Sequence, residues 1–194
     1  MIQLLIGLVL FLGMHSIRIL AEETRTTFIA ARGEQLYKGL YALVSLLGLV
    51  FIITGYSATR LTPVFVWTPP VALSHLASLL MLLSFTLLAA AYIPGTRMKA
   101  VFGHPMVLAV KLWAVAHLLA NGRLGDMVLF GAFLIWAIVD YAVSRRRDRR
   151  EGVVRQAASG ISRDAMAVVA GGGAWFAFAF WLHLYLIGVS PFAV

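Results

Sequence analysis

Five histidines, His15, His75, His104, His117 and His183, are the residues of this chain best equipped for chemistry, and no cysteine accompanies them. The missing thiols exclude disulfides, cysteine-ligated iron–sulfur clusters, a CxxCH haem attachment and a cysteine nucleophile, so redox chemistry here needs a bound cofactor. Imidazole is a common axial ligand of haem iron, and two histidines on facing helices can hold one haem between them. A single histidine in apolar surroundings is satisfied by one or two hydrogen bonds and is often structural. Five together point toward a cofactor. A zinc or copper site is open to so many imidazoles, but neither HExxH nor a Cys/His zinc spacing occurs.

The elements that must position them are hydrophobic. Of 194 residues, 61% are apolar and 12% charged, where a soluble domain carries about 25% charged residues. An ordinary soluble globule and a disordered chain are both excluded. Apolar segments run over Ile2–Leu20, Leu40–Tyr56, Val71–Ile93, Met106–Ala120, Met127–Val143 and Met166–Val189. Spanning backbone must satisfy its own hydrogen bonds, so the segments read as helices. The expected fold is all-α, a polytopic bundle of six transmembrane helices forming a single domain over 1–194. Pro63, Pro69 and Pro70 break the second connection, Pro94-Gly95 ends the third span, Pro105 opens the fourth and Asn121-Gly122 turns into the fifth. The first span lacks a basic residue before its apolar run, which argues for an uncleaved helix rather than a signal peptide.

Sixteen basic residues against eight acidic ones give a net charge of +8. That excess belongs to topology rather than to nucleic acid. Connections after spans one, three and five hold Arg25, Arg32, Lys38, Arg97, Lys99 and seven arginines from Arg145 to Arg163; the opposite connections hold only Arg60 and Arg123. The positive-inside rule then puts both termini outside the cytoplasm. The run Arg145–Arg150 reads first as a topology anchor and second as a binder of anionic lipid.

Depth constrains which histidines can share an iron. His104 and His117 lie ~20 Å apart along one helix and cannot. Depth favours His117 with His75 or His183, or His15 with His104; a His15–His117 pair needs an axial offset that helix tilt can absorb. Trp113, His117 and Asn121 form one stripe of the fourth span, and His104 and Lys111 another. Lys111 is expected to pair with Asp140 at similar depth, since a lone charge there is costly; a haem propionate is its other candidate partner. Asp126 is expected to cap the fifth span. Tyr41, Ser45 and Gly48 make a small, polar stripe of the kind that packs against another helix, and a flat cofactor is its other candidate occupant.

Gly13-Met14-His15-Ser16-Ile17-Arg18, Gly103-His104-Pro105-Met106 and the block from Leu112-Trp113 through Ala116-His117 to Asn121-Gly122 resemble the NnrU family of bacterial membrane proteins. Trp67-Thr68-Pro69-Pro70, Ser74-His75-Leu76 and Pro94-Gly95 extend the resemblance over nearly the whole chain. It implies a bacterial inner-membrane protein associated with denitrification and with nitrite and nitric oxide reductase activity. A related plant group, the zeta-carotene isomerases, binds haem b, and by similarity its ligand histidines fall on His15 and His117. His104 lies in the shared His-Pro motif, and His75 marks the bacterial branch. Ala114 stands where the isomerase has a redox-relevant cysteine, which weighs against carrying over its chemistry but not haem binding.

The resemblance thus implies a haem b protein in which His15 and His117 ligate the iron, for redox, sensing or isomerase-like chemistry; by their place one turn from His117, Trp113 is a candidate to pack beside the ring and Asn121 to orient the His117 imidazole or meet the haem edge. The competing reading is a non-enzymatic assembly factor or scaffold for a membrane reductase. A third, lipid methyl transfer, rests on His104-Pro105 resembling part of an Arg-His-Pro motif. It ranks low because Gly103 replaces the arginine and Asp148 and Glu151 substitute poorly for the expected Glu-Glu pair.

Overall fold

Helix is the form in which a single segment satisfies its own backbone away from water, and the apolar runs of this chain take it. The computed structural model describes residues 1–156 and 161–192. Its elements are α1 Ile2–Leu20, α2 Glu22–Arg32, α3 Glu34–Leu61, α4 Val71–Tyr92, α5 Arg97–Phe102, α6 Pro105–Ala120, α7 Leu124–Arg150, α8 Ser162–Ala177, a π-helical turn Phe178–Leu182 and α9 His183–Ile187. Among the described residues there is no strand, only an isolated bridge between Phe65 and Arg123. Among the described residues five helices are long and apolar enough to cross a membrane: α1, α3, α4, α7 and the continuous run Ser162–Ile187. Helix α6 is a shorter apolar one.

The chain is a multi-pass membrane bundle whose outer faces are apolar. Leu43 and Leu46 on α3 are 64% and 60% exposed, which suits contact with lipid rather than water. Contacts between helices fall instead on small residues. Helix α1 packs on α3 where Gly7, Gly48 and Gly55 let the backbones touch. A Cβ added at Gly7 would stand 2.6 Å from the Ile52 nitrogen, and one at Gly48 2.7 Å from the Phe11 nitrogen. The expected Tyr41-Ser45-Gly48 stripe is indeed a helix contact, with Ser45 and Gly48 buried. Helix α4 joins α6 and α8. Ser84 Oγ donates to the Ala109 carbonyl at 2.8 Å, and Gly171 lies directly against the Thr86 backbone. Helix α7 touches α6, α1 and α3 and so ties the two groups together.

Several helices run past the apolar segments. Helix α3 begins at Glu34 and α7 continues to Arg150, because charged side chains with good helix propensity extend a helix once it leaves the hydrocarbon. Two short helices, α2 and α5, occupy the connections after the first and third spans. At the opposite end the Trp67 loop clasps the turn before α7. Val66 N–H donates to the Gly122 carbonyl at 2.8 Å, and Leu124 N–H to the Val64 carbonyl at 2.8 Å. Asp126 caps α7 as expected, accepting from the Arg123 N–H at 3.3 Å, and it also accepts from Tyr56 Oη at 2.6 Å.

A methyl group at Gly48 overpacks the α1–α3 seam, so Gly48→Ala should cost about 1–3 kcal/mol and lower the melting temperature in detergent. Gly39→Ala, with open space around its Cβ, should leave the melt unchanged or slightly raised. Equal melts for the two variants would refute the seam as drawn.

Candidate functional site

The interior between α1, α6 and α7 is aromatic. Phe130, Phe133 and Trp136 recur three residues apart on α7 and meet Phe11 and His15 from α1 and Trp113 and His117 from α6. His15 stacks on Phe11 at 4.2 Å between centroids, and Phe11 meets Phe133 at 5.8 Å. Phe133 meets Trp113 at 5.3 Å, and Trp113 meets His117 at 5.3 Å. His117 in turn stacks on Phe130 at 4.4 Å.

Both histidines are held in the same way. His15 Nδ1 donates to the Phe11 carbonyl at 2.7 Å, and His117 Nδ1 donates to the Trp113 carbonyl at 2.8 Å. A carbonyl only accepts, so each Nδ1 carries the proton and each Nε2 keeps its lone pair. Neither Nε2 has a hydrogen-bond partner among the described residues. Histidines that ligate metals are usually oriented by this kind of Nδ1–H to carbonyl bond.

The two imidazoles do not face one another across a gap. His15 meets Trp136 edge-on at 6.1 Å, whereas His117 stacks on Phe130. Those two α7 positions differ by six residues, or ~9 Å of depth. The rings of Phe11, Phe133 and Trp113 form the path between them. Around His15 lie Tyr41 at 5.2 Å and Trp136, whose Nε1 has no partner among the described residues; Ser45 Oγ, one turn along α3 from Tyr41, is likewise buried and unpartnered. Trp136 also lines a groove of ≈ 550 Å³ between α1 and α7, floored by Gly13, Ser16 and Ala132.

The remaining candidates lie elsewhere. Asn121 Nδ2 donates to the His117 backbone carbonyl at 2.8 Å, so it holds the end of α6 rather than the imidazole. His75 is exposed at the start of α4. His183 Nδ1 donates to the Val189 carbonyl at 2.6 Å. No group of three or more His, Cys, Asp or Glu side chains converges as a metal site among the described residues.

Lys111 does not pair with Asp140. Its Nζ lies over the Tyr141 ring at 4.3 Å from the centroid, and Asp140 Oδ1 accepts from Ser144 Oγ at 3.3 Å. Consecutive residues on a helix point ~100° apart. Tyr141 takes the face toward α6, donating from Oη to the Phe102 carbonyl at 2.9 Å, and Asp140 is turned away from it.

His104 belongs to a cluster at the arginine-rich end. Its Nε2 meets Asp148 Oδ2 at 2.8 Å, and Arg155 forks onto the same carboxylate at 2.7 and 3.0 Å. The Asp148 carboxylate raises the Arg155 guanidinium further above its ordinary value. Sequence spacing gave no sign of this cluster, since His104 and Asp148 are 44 positions apart. The aromatic stripe on α7 was readable from its three-residue repeat.

Removing the carboxylate should unfasten this end of α7. Asp148→Asn is expected to cost on the order of 1–3 kcal/mol. Arg155→Gln should cost less, because His104 still meets the carboxylate. The double variant should be clearly less damaging than the two losses added; simple additivity in thermal melts would contradict the pairing.

The family model described as NnrU protein matches residues 3–191. No curated protein and no solved structure matches the chain. A match of that extent, over a bundle that brings the Trp113–His117 and His15 segments together around one aromatic layer, settles the family: the chain belongs to NnrU.

Proposed function

We propose that this protein is a haem b-binding protein of the bacterial inner membrane, using His15 and His117 as iron ligands and serving the nitrite and nitric oxide reductase systems of denitrification. The observation that carries the reading is the shared state of the two imidazoles. Each has its Nδ1–H tied to the carbonyl four residues back, and each keeps an Nε2 lone pair within an aromatic interior. That donor chemistry fits haem iron, and the apolar aromatic walls fit a macrocycle. The unpartnered Nε1 of Trp136, whose ring meets His15, is a group that a bound molecule would satisfy. Lys111, with no carboxylate partner among the described residues, offers a cation to a propionate.

The spacing adds a condition. With Phe133 between Phe11 and Trp113, one iron held by both histidines requires this aromatic layer to part. An iron held by one histidine leaves a coordination position open. A bound haem supplies one-electron iron chemistry in either case. The chain's own part is to fix the two tautomers, exclude water and wall the site with rings. The proposed topology has six crossings, with α6 as the short one and both termini outside the cytoplasm, as the distribution of basic residues implies.

Purification from haem-supplemented cells, followed by oxidised and reduced spectra and a pyridine haemochrome assay, tests this reading. The expected result is about one haem b per chain. His15→Ala and His117→Ala should each convert a low-spin spectrum to high-spin if both ligate, and the double variant should lose haem. If only one single variant changes the spectrum, the other histidine is not a ligand. A folded, colourless protein that rejects added haem overturns the proposal and favours the assembly-factor reading.

A further inference from the structure

We infer that the arginine-rich end of the bundle contains a specific site for the phosphate of an anionic phospholipid, read by Arg145 and Arg155 above the Gly103–His104 turn. Asp148 is 7% exposed and is, among the described residues, the one carboxylate paired with this cluster, facing Arg155 at 2.7 Å, His104 at 2.8 Å and Arg145 at 3.8 Å. Two guanidinium charges therefore share one carboxylate. Arg155 spends two donors on it, whereas Arg145 makes only the long contact and no hydrogen bond among the described residues. Its fork is open to a second anion, and a guanidinium fork matches phosphate oxygens in geometry.

The backbone is shaped to let it lie there. Gly103 is buried with φ +75°, and a Cβ at that position would strike the Arg145 Nη1 and stand 3.3 Å from the Arg155 Nη1. The guanidiniums thus rest directly on the turn before α6. The rim identifies the source of the phosphate. Val101 and Met106, two residues either side of the Gly103–His104 turn, and Val154, next to Arg155 in the chain, are all exposed, Val101 at 67% and Val154 at 81%. A basic cluster bordered by exposed apolar side chains suits a headgroup whose tails lie against the bundle better than it suits a free anion in water.

The test is native mass spectrometry on the delipidated full chain in detergent, titrated with phosphatidylglycerol, with phosphatidylcholine, or with phosphatidylglycerol plus inorganic phosphate. Retention of phosphatidylglycerol over phosphatidylcholine is expected, with little competition from phosphate. Arg145→Gln should weaken binding roughly tenfold or more, and the exposed Arg149→Gln should change it less than about twofold. Arg145→Lys, which keeps the charge and loses the fork, should fall between them and serves where Arg145→Gln does not fold. Equal losses in the Arg145 and Arg149 variants would reduce the site to general surface charge. Equal retention of the two lipids, or displacement by phosphate at matching concentration, would also overturn it.

Discussion

Hydrocarbon gives helices no hydrophobic reason to associate, because a lipid tail is as apolar as a leucine. What remains is close packing and hydrogen bonding, and both need backbones near one another. This bundle meets that constraint at small residues. Gly7 and Gly48 bring α1 and α3 into backbone contact, Gly171 does so for α8 against α4, and Ala109, Ala114, Ala116 and Ala137 are almost completely buried on α6 and α7. Many bulky leucines, Leu43 and Leu46 among them, face outward, while Leu4, Leu8, Leu87 and Leu129 fill the interior beside the small residues. The arrangement inverts that of a soluble protein, and every other feature of the interior occupies space these contacts leave.

Polar side chains obey the same solvent. Ser16, Thr54, Ser57 and Thr86 each donate to the carbonyl four residues earlier on their own helix, which satisfies the hydroxyl without a partner helix. His15 and His117 follow that rule with Nδ1. The difference is that imidazole has a second nitrogen. A hydroxyl bonded in this way is finished, whereas a histidine bonded in this way is fixed in orientation and tautomer with its lone pair still available. A local solution to a solvation problem thus doubles as preparation for a ligand.

Much of this was legible in the residues. Hydropathy located the apolar runs, the Tyr41-Ser45-Gly48 stripe marked a packing face without naming its partner helix, and Asp126 was placed at its cap. Each of those signals is local, acting within a turn or two of one helix. The Lys111–Asp140 pair failed because depth alone does not specify azimuth: Tyr141, one residue on, holds the face toward α6. His104, Asp148 and Arg155 meet only after α6 and α7 have packed, so no short-range pattern contains them. The shared carbonyl bonds of the two histidines depend on rotamers, which sequence does not specify.

Helix α7 is where these separate features become one. Along it Asp126, Phe130, Phe133, Ala137, Tyr141, Ser144 and Asp148 recur at three- and four-residue steps, a single stripe down one face. The stripe begins with a carboxylate bound to Tyr56 and ends with one bound to His104 and Arg155. The two carboxylates are 22 residues apart, or ~33 Å along the axis, close to the ~30 Å of a bilayer's hydrocarbon. Each can therefore sit at an interface, where its charge is tolerable, while the segment between turns uncharged side chains, Leu129, Phe130, Phe133 and Ala137 among them, toward its neighbours. Fixing α7 at both ends fixes its axial position, and with it the depth of Phe130 under His117 and of Trp136 beside His15. The offset between the two histidines is thus set by anchors that touch neither of them.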